Sequence, residues 1–487
     1  MKKSITKNYV YNLIYQILLI IIPIITIPYI SRILGAENIG IYNYTLSISA
    51  YFILFGSLGV SLYGQREIAY NQKDKYQYSK IFLELFILKS ITMIISIILF
   101  YFAFVYNENN YNIYFKILIL ELIGNIFDIS WFFQGLEEFK KTVTRNIFVK
   151  IIGLICIFVF IKTKEDLSKY FMIYVLSIFI ANISLWIYIP RYIQKIEIKK
   201  INLFRHLKPT LILFIPQIAI QVYTILDKTM IGMIISNKSE VGFYSQSEKI
   251  IKLALTIITS LGIAMMPRIA SIYAEGNRKK INEYLEKSFN FVMILSFPMI
   301  FGIAAVSQIF VPVFFGNGYE KVVILMIILS PIIFFIGLSN VIGQQYLLPT
   351  QRQKEYTSSV IIGAGVNFFV NMLLIPKFGA VGAAIGTIIA EFMVTIIQII
   401  CTRKDFNYKN IIFNSKNYIV SSIAMFVTCK IFSEILTSNL ISLILLIVIG
   451  TSVYFICLIV LKDRFLKENL SKIKSLIEKF KLNYLVK

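Results

Sequence analysis

Apolar runs about one bilayer thick follow one another along the whole chain, separated by short polar links. A membrane-crossing helix needs roughly 20 mostly apolar residues, because it rises about 1.5 Å per residue through about 30 Å of hydrocarbon where no water can satisfy the backbone. About fourteen such runs are legible, near 9–30, 41–63, 81–105, 113–135, 143–161, 170–190, 210–234, 243–266, 288–315, 322–345, 355–375, 380–401, 418–436 and 440–461. The expected fold class is an all-α polytopic membrane protein with about fourteen transmembrane helices.

The links set the orientation. Lys73, Lys75 and Lys80 crowd into one link, Lys195, Lys199 and Lys200 into another, and Arg278, Lys279 and Lys280 into a third, whereas 106–112 and 437–439 carry no Lys or Arg. The rich and poor links alternate, which is the positive-inside pattern and places both termini in the cytoplasm. The net charge of +23 is thus mainly a topology signal. Its cations are spread over many links with no basic domain to concentrate them, which excludes nucleic acid as the partner. The Lys-rich tail 462–487, with Ile473, Leu476, Ile477 and Phe480 at helical spacing, reads either as an amphipathic helix on the anionic inner leaflet or as a solvated tail.

What the chain lacks narrows its chemistry. Cys156, Cys401, Cys429 and Cys457 fall inside apolar runs and read as packing residues, and no metal or cofactor constellation is present in the sequence. The first run is too long for a signal-peptide core and has no small-residue cleavage site, so it reads as a retained span. No link is long enough to fold as a soluble domain, and no glycine-rich phosphate loop occurs. The only histidine, His206, lies beside Arg205 and Lys208 and reads as part of a solvated basic loop rather than a general base. No enzyme site is evident.

An internal duplication organises the first twelve runs. Gly40 and Tyr42 in LGAENIGIYNY match Gly242 and Tyr244 in ISNKSEVGFYS at an offset of 202, and Leu58-Gly59 with Arg66 and Ala69 is echoed by Leu261-Gly262 with Arg268 and Ala270. Six intervening helices preserve orientation, so the halves are expected to be six-helix bundles related by a pseudo-two-fold along the membrane normal, with a cavity between them. The expected division is 1–200 for the N-terminal bundle, 201–404 for the C-terminal bundle, 405–461 for helices 13 and 14, and 462–487 for the tail. Tyr42 and Tyr244 are expected to face one another across the cavity mouth.

The segments PYISRILGAENIGIYNY (28–44), LGVSLYGQREIA (58–69), LDKTMIG (226–232), VGFYSQSEKI (241–250) and FGAVGAAIGT (378–387) resemble the Wzx-type polysaccharide repeat-unit flippases of the multidrug/oligosaccharidyl-lipid/polysaccharide exporter superfamily. The resemblance runs over essentially the whole chain. It implies a flippase of the bacterial cytoplasmic (inner) membrane that moves undecaprenyl-pyrophosphate-linked oligosaccharide from the inner to the outer leaflet by alternating access, for O-antigen or capsule biosynthesis. The partners it implies are that lipid-linked oligosaccharide, membrane lipids, and polysaccharide polymerase and chain-length proteins.

An anionic, hydrated cargo asks for polar and cationic groups inside the spans, where each charge costs about 2.5–3.5 kcal/mol and therefore tends to face a cavity or a partner. Glu121, Asn125 and Asp128 fall at i, i+4 and i+7 on the fourth run, and Lys249, Lys252, Thr256 and Thr259 form a second stripe. Arg32, Lys150, Lys228, Lys249 and Lys252 are the candidate pyrophosphate contacts, and Glu121, Asp128, Asp227 and Glu391 the candidate coupling or pairing carboxylates. The competing reading is that acids and bases simply pair to hold helices together while Arg32 and Lys228 snorkel outward. Pro23, Pro28 and Pro216 interrupt the first run of each half and are hinge candidates; a static kink is the competing reading. Gly382 and Gly386 make a small-residue face suited to helix packing. Three rival functions are a multidrug exporter of the same superfamily, a lipid II flippase, and a membrane polysaccharide polymerase or ligase, the last disfavoured because the outer links are short.

Overall fold

The structure is a computed structural model that describes residues 5–106 and 110–467. It is an all-α polytopic membrane protein, with eleven helical segments long and apolar enough to cross a membrane among the described residues. The tail positions Ile473, Leu476, Ile477 and Phe480 lie outside the described residues. The chain forms two compact units, Met1–Ser245 and Gln246–Lys487.

The first unit contains α1 (Ile5–Ser57), α2 (Val60–Tyr70), α3 (Lys75–Phe100), α4 (Asn112–Ile126), α5 (Ser130–Gly135), α6 (Phe139–Phe160), α7 (Leu167–Ser184), α8 (Ile189–Tyr192), α9 (Phe204–Ile234) and the start of α10 (Ser239–Ala274). A π-helical turn, Tyr101–Val105, extends α3. Runs one and two are joined in α1, which breaks sharply at Gly35. That residue sits at φ 76°, a conformation that L side chains rarely adopt. The break falls at Gly35 rather than at Pro23 or Pro28, through both of which α1 continues. Pro216 lies within α9, and its side chain is outside the described residues.

Run four, expected as one helix over 113–135, is divided between α4 and α5. The carbonyls released by the break are met from within the protein: Trp186 Nε1 donates to the Phe127 carbonyl at 2.9 Å, Lys89 Nζ to that of Asp128 at 2.9 Å, and Asn182 Nδ2 to that of Gly124 at 3.0 Å. Irregular backbone at membrane depth is tolerated where such donors exist. Below the break, Val60, Ile68, Phe82, Leu85, Trp131, Phe132 and Phe133 form a buried apolar core that holds α2, α3 and α5 together.

The second unit contains the rest of α10, then α11 (Arg278–Phe315), α12 (Glu320–Leu329), α13 (Ile332–Ser339) with a π-helical extension Asn340–Leu347, α14 (Gln353–Phe378), α15 (Ala380–Thr402), α16 (Tyr408–Asn414), α17 (Lys416–Ile435) and α18 (Leu440–Val460). Helices α14 and α15 make a tight hairpin: a Cβ on Gly382 would lie 2.5 Å from the Leu374 backbone, so the small-residue face packs as its sequence suggests. At one end of this pair Arg352 bridges Glu355 (2.8 Å) and Asp405 (2.6 Å) and bonds the Cys401 carbonyl. The Glu355 carboxylate, ahead of Asp405, raises the guanidinium's pKa above its ordinary value.

Candidate functional site

In the first unit Glu121 of α4 is buried, and its carboxylate accepts from Ser49 Oγ of α1 at 3.0 Å and from Tyr174 OH of α7 at 3.1 Å. Its partners among the described residues are hydroxyls, not cations. The Tyr42 ring stands next to it, packed on Tyr170, Phe171 and Tyr174 with centroids 4.6, 5.0 and 5.8 Å away. Asn125 donates to the Glu121 carbonyl at 2.9 Å, so these two share a face of α4. Asp128 does not continue that stripe. It lies in the break after α4, where Oδ1 accepts from Ser130 N at 3.0 Å and Oγ at 2.5 Å, and so caps the turn into α5.

The duplicated landmark is a helix crossing. A Cβ on Gly40 would lie 1.7 Å from the Lys238 carbonyl oxygen, and one on Gly242 would lie 2.0 Å from that of Ala36. Ala36 and Lys238 are themselves one 202-residue offset apart, so each glycine meets the counterpart of the other's neighbour. Only glycine permits this approach of backbones. The tyrosines two residues on are turned to separate partners rather than to one another: Tyr42 lies in the aromatic cluster above, and Tyr244 OH donates to Asp227 Oδ2 at 2.5 Å. The expectation that they face one another is therefore corrected to a contact of glycines. Lys238 is buried beside the crossing, its Nζ capping α9 through the carbonyls of Gly232 (2.6 Å) and Ile235 (3.0 Å) and lying 4.9 Å from the Tyr44 ring centroid.

The remaining candidate cations differ in exposure. Arg32 is exposed, and Lys150 and Lys228 are half-buried. In the second unit, Lys249 is half-buried and Lys252 forms an ion pair with buried Glu248 at 2.6 Å, one helical turn earlier. Two lysines on one face repel unless an anion lies near them, and Glu248 supplies one for Lys252. Glu391 of α15 is buried; Gln398 of the same helix is fully buried and donates to Ser359 Oγ at 3.1 Å.

A family model described as "Polysaccharide biosynthesis protein" matches residues 5–273, more than half of the chain. The chain belongs to the polysaccharide biosynthesis protein family. A second model, described as MatE, matches residues 213–373. Among the relatives of this family member is an Escherichia coli (strain K12) protein named "Putative O-antigen transporter", 29% identical over 415 residues that cover 83% of this chain and 98% of the relative. Another is the Staphylococcus aureus "Capsular polysaccharide biosynthesis protein CapF", 22% identical, covering 80% of this chain and 97% of that one. Its fold is shared with a solved structure of the lipid II flippase MurJ in an inward closed conformation, at TM-score 0.71 and 16% identity over 93% of this chain and 99% of that one. It is also shared with an inward-facing multidrug resistance MATE transporter of the MOP superfamily, at TM-score 0.62 and 14% identity over 79% and 94% of the two chains.

Several charged residues of this polysaccharide biosynthesis protein escape a reading by hydropathy. His206 is buried, not solvated: Nε2 lies 2.9 Å from Glu84 Oε2 and Nδ1 lies 2.9 Å from Tyr63 OH. Glu84, fully buried in α3, also accepts from Arg205 Nε at 3.0 Å and from Asn202 N at 2.8 Å. This cluster ties the N-terminal end of α9 and the strand of chain before it to α2 and α3. Linear spacing of 121 residues between Glu84 and Arg205 hides the pair. Glu248 was readable from its i, i+4 relation to Lys252, whereas Lys238 carries no such signal.

Proposed function

We propose that this protein is a flippase that carries undecaprenyl-pyrophosphate-linked oligosaccharide repeat units from the inner to the outer leaflet of a bacterial cytoplasmic membrane for surface-polysaccharide biosynthesis. The observation that carries the reading is the alignment with the Escherichia coli "Putative O-antigen transporter" along 98% of that relative. The family match and a polytopic all-α architecture support it. The polyprenyl tail remains in lipid while the protein lines a path for the anionic head. Arg32, Lys150, Lys228, Lys249 and Lys252 are the proposed pyrophosphate contacts, with Glu121, Asp128, Asp227 and Glu391 as coupling or pairing carboxylates. The six-helix repeats are proposed as 1–200 and 201–404, followed by helices 13 and 14 within 405–461 and a cytoplasmic tail at 462–487.

With both termini in the cytoplasm, the Gly40–Gly242 crossing falls on the outer side, just after the Gly35 break inside α1 and in the first turn of α10, and its close packing is read as the closed outer side of an alternating-access cycle. Pro23, Pro28 and Pro216 are the proposed points of bending, with Gly35 joining them. Orientation is tested with single cysteines at Lys73, Lys199 and Lys279, expected inside, and at Asn109, Lys164 and Asn317, expected outside. An impermeant thiol reagent applied to whole cells is expected to label only the second set; labelling of the first set instead would invert the topology.

Function is tested by complementation. Supplied with the matching polysaccharide gene cluster to a strain that lacks its own flippase, the wild-type protein is expected to restore surface polysaccharide; no restoration at normal abundance would overturn the reading. The Lys249→Ala, Lys252→Ala double variant is expected to lose export, whereas Lys→Arg at both positions retains much of it because the cations persist. Full export by the double Ala variant would remove these lysines from the proposed path.

A further inference from the structure

We propose that the second unit holds a binding site for a phospholipid headgroup that carries both a phosphate and a primary ammonium, of the phosphoethanolamine type. The site is a cleft of about 670 Å³ between the N-terminal turns of α11, the start of α17 and the residues that follow α18. Its volume is within the range of about 300–1,000 Å³ usual for small ligands. Farther along the spans the same helices are joined, where Tyr454 OH of α18 donates to the Ile294 carbonyl of α11 at 2.7 Å. Asp463, at the base of the cleft, is already engaged: it is buried, accepts from Leu466 N at 2.9 Å and lies beside the hydroxyl of buried Tyr418. The other charges line the cleft in two signs. Glu283 and Glu286 come from α11, and Lys287, Lys416, Lys462 and Arg464 from all three walls. Among the described residues neither glutamate forms an ion pair, nor does Lys416 or Lys462.

Opposite charges that share a cleft without meeting leave room for a ligand that carries both. Their order in depth matches the headgroup. Lys287, Lys416 and Lys462 each lie within two residues of an end of an apolar run, where lipid phosphates sit, whereas Glu283 stands about 7 Å beyond the run 288–315 along α11. In phosphoethanolamine the phosphate is next to the glycerol and the ammonium lies beyond it. A purely anionic headgroup would leave the two glutamates facing a second anion. A quaternary ammonium has no N–H to give them and is held instead by open aromatic faces. The Phe413 ring at the cleft is already covered by Lys416, whose Nζ is 4.3 Å from its centroid. With the orientation proposed above the headgroup belongs to the inner leaflet; the site itself needs neither that orientation nor the flippase reading.

The test uses the full chain in nanodiscs of phosphatidylethanolamine, phosphatidylglycerol and phosphatidylcholine in equal parts, all with the same acyl chains. Lipids retained by the released protein are counted by native mass spectrometry. Wild type is expected to retain phosphatidylethanolamine in excess of the other two. In the Glu283→Gln, Glu286→Gln double variant that excess is expected to fall about tenfold, as the loss of charge-assisted hydrogen bonds to the ammonium implies. In Glu283→Lys, Glu286→Lys the preference is expected to pass to phosphatidylglycerol, a reversal that a merely structural role of the glutamates would not produce. Lys416→Gln, Lys462→Gln is expected to weaken retention of phosphatidylethanolamine by removing the phosphate partners. All four positions are exposed, so the variants are expected to fold as wild type does. Equal retention of the three lipids by wild type, or a wild-type preference for phosphatidylglycerol, would overturn the proposal. So would a phosphatidylethanolamine excess that survives unchanged in the glutamate-to-glutamine or the lysine-to-glutamine variant.

Discussion

Gly242→Val is expected to abolish export while the protein still reaches the membrane. The Cβ it adds would stand 2.0 Å from the Ala36 carbonyl oxygen, well inside van der Waals contact. The atom it meets is backbone, which cannot swing aside as a flexible side chain can. Overpacking of this kind costs about 1–3 kcal/mol, and since 1.4 kcal/mol is about tenfold in an equilibrium constant, the state with the crossing closed becomes a minor one. Gly40→Val, aimed at the Lys238 carbonyl, is expected to do the same because the contact is built twice over. A cysteine introduced at Ala36 serves as the second readout: its labelling by an impermeant reagent in whole cells is expected to rise when either valine is present. Export at the wild-type level in both valine variants, with no change in labelling, would show that the two backbones do not need to meet during the cycle.

Glu84→Leu is expected to be the most destabilising single substitution in the first unit. Glu84 has no exposed surface and gathers Arg205, His206 and the Asn202 amide around one carboxylate. Removing it leaves a guanidinium, an imidazole and a backbone N–H without their acceptor, and breaking a buried pair in this way costs about 3–5 kcal/mol. Solvent reaches the Arg205 side chain, which is 37% exposed, so the lower end of that range is expected. The measurement is the fraction of detergent-purified protein that remains monodisperse after heating, compared with wild type and with Glu84→Gln, which keeps an acceptor oxygen. A leucine variant as heat-resistant as wild type would mean that the cluster is incidental to the packing of α9 on α2 and α3. Failure of this cluster and failure of the glycine crossing are separable, because the first lowers stability and the second alters export in a protein that remains folded.

Much of the architecture is written in the chain as local pattern. Membrane-crossing helices follow from apolar length alone, because a helix satisfies its own backbone and needs no knowledge of its neighbours. Gly40 and Gly242 were recognisable as a repeated landmark, and Glu121 as an ionisable group inside a span that must have a reason to be there. The family, too, is carried by contiguous motifs. The tertiary structure decided what those residues meet. It divided run four at Phe127–Ile129, because donors from Lys89, Asn182 and Trp186 on other helices satisfy the opened carbonyls. It placed the sharp break of α1 at Gly35 and not at a proline, turned Tyr42 and Tyr244 to separate partners, and drew His206 out of an apparent basic loop onto Glu84. Above all it surrounded Glu121 with hydroxyls rather than cations. Hydropathy and helical spacing report each helix separately, whereas the partners of Glu84 and Glu121 stand on other helices tens of residues away and are selected only when the helices pack.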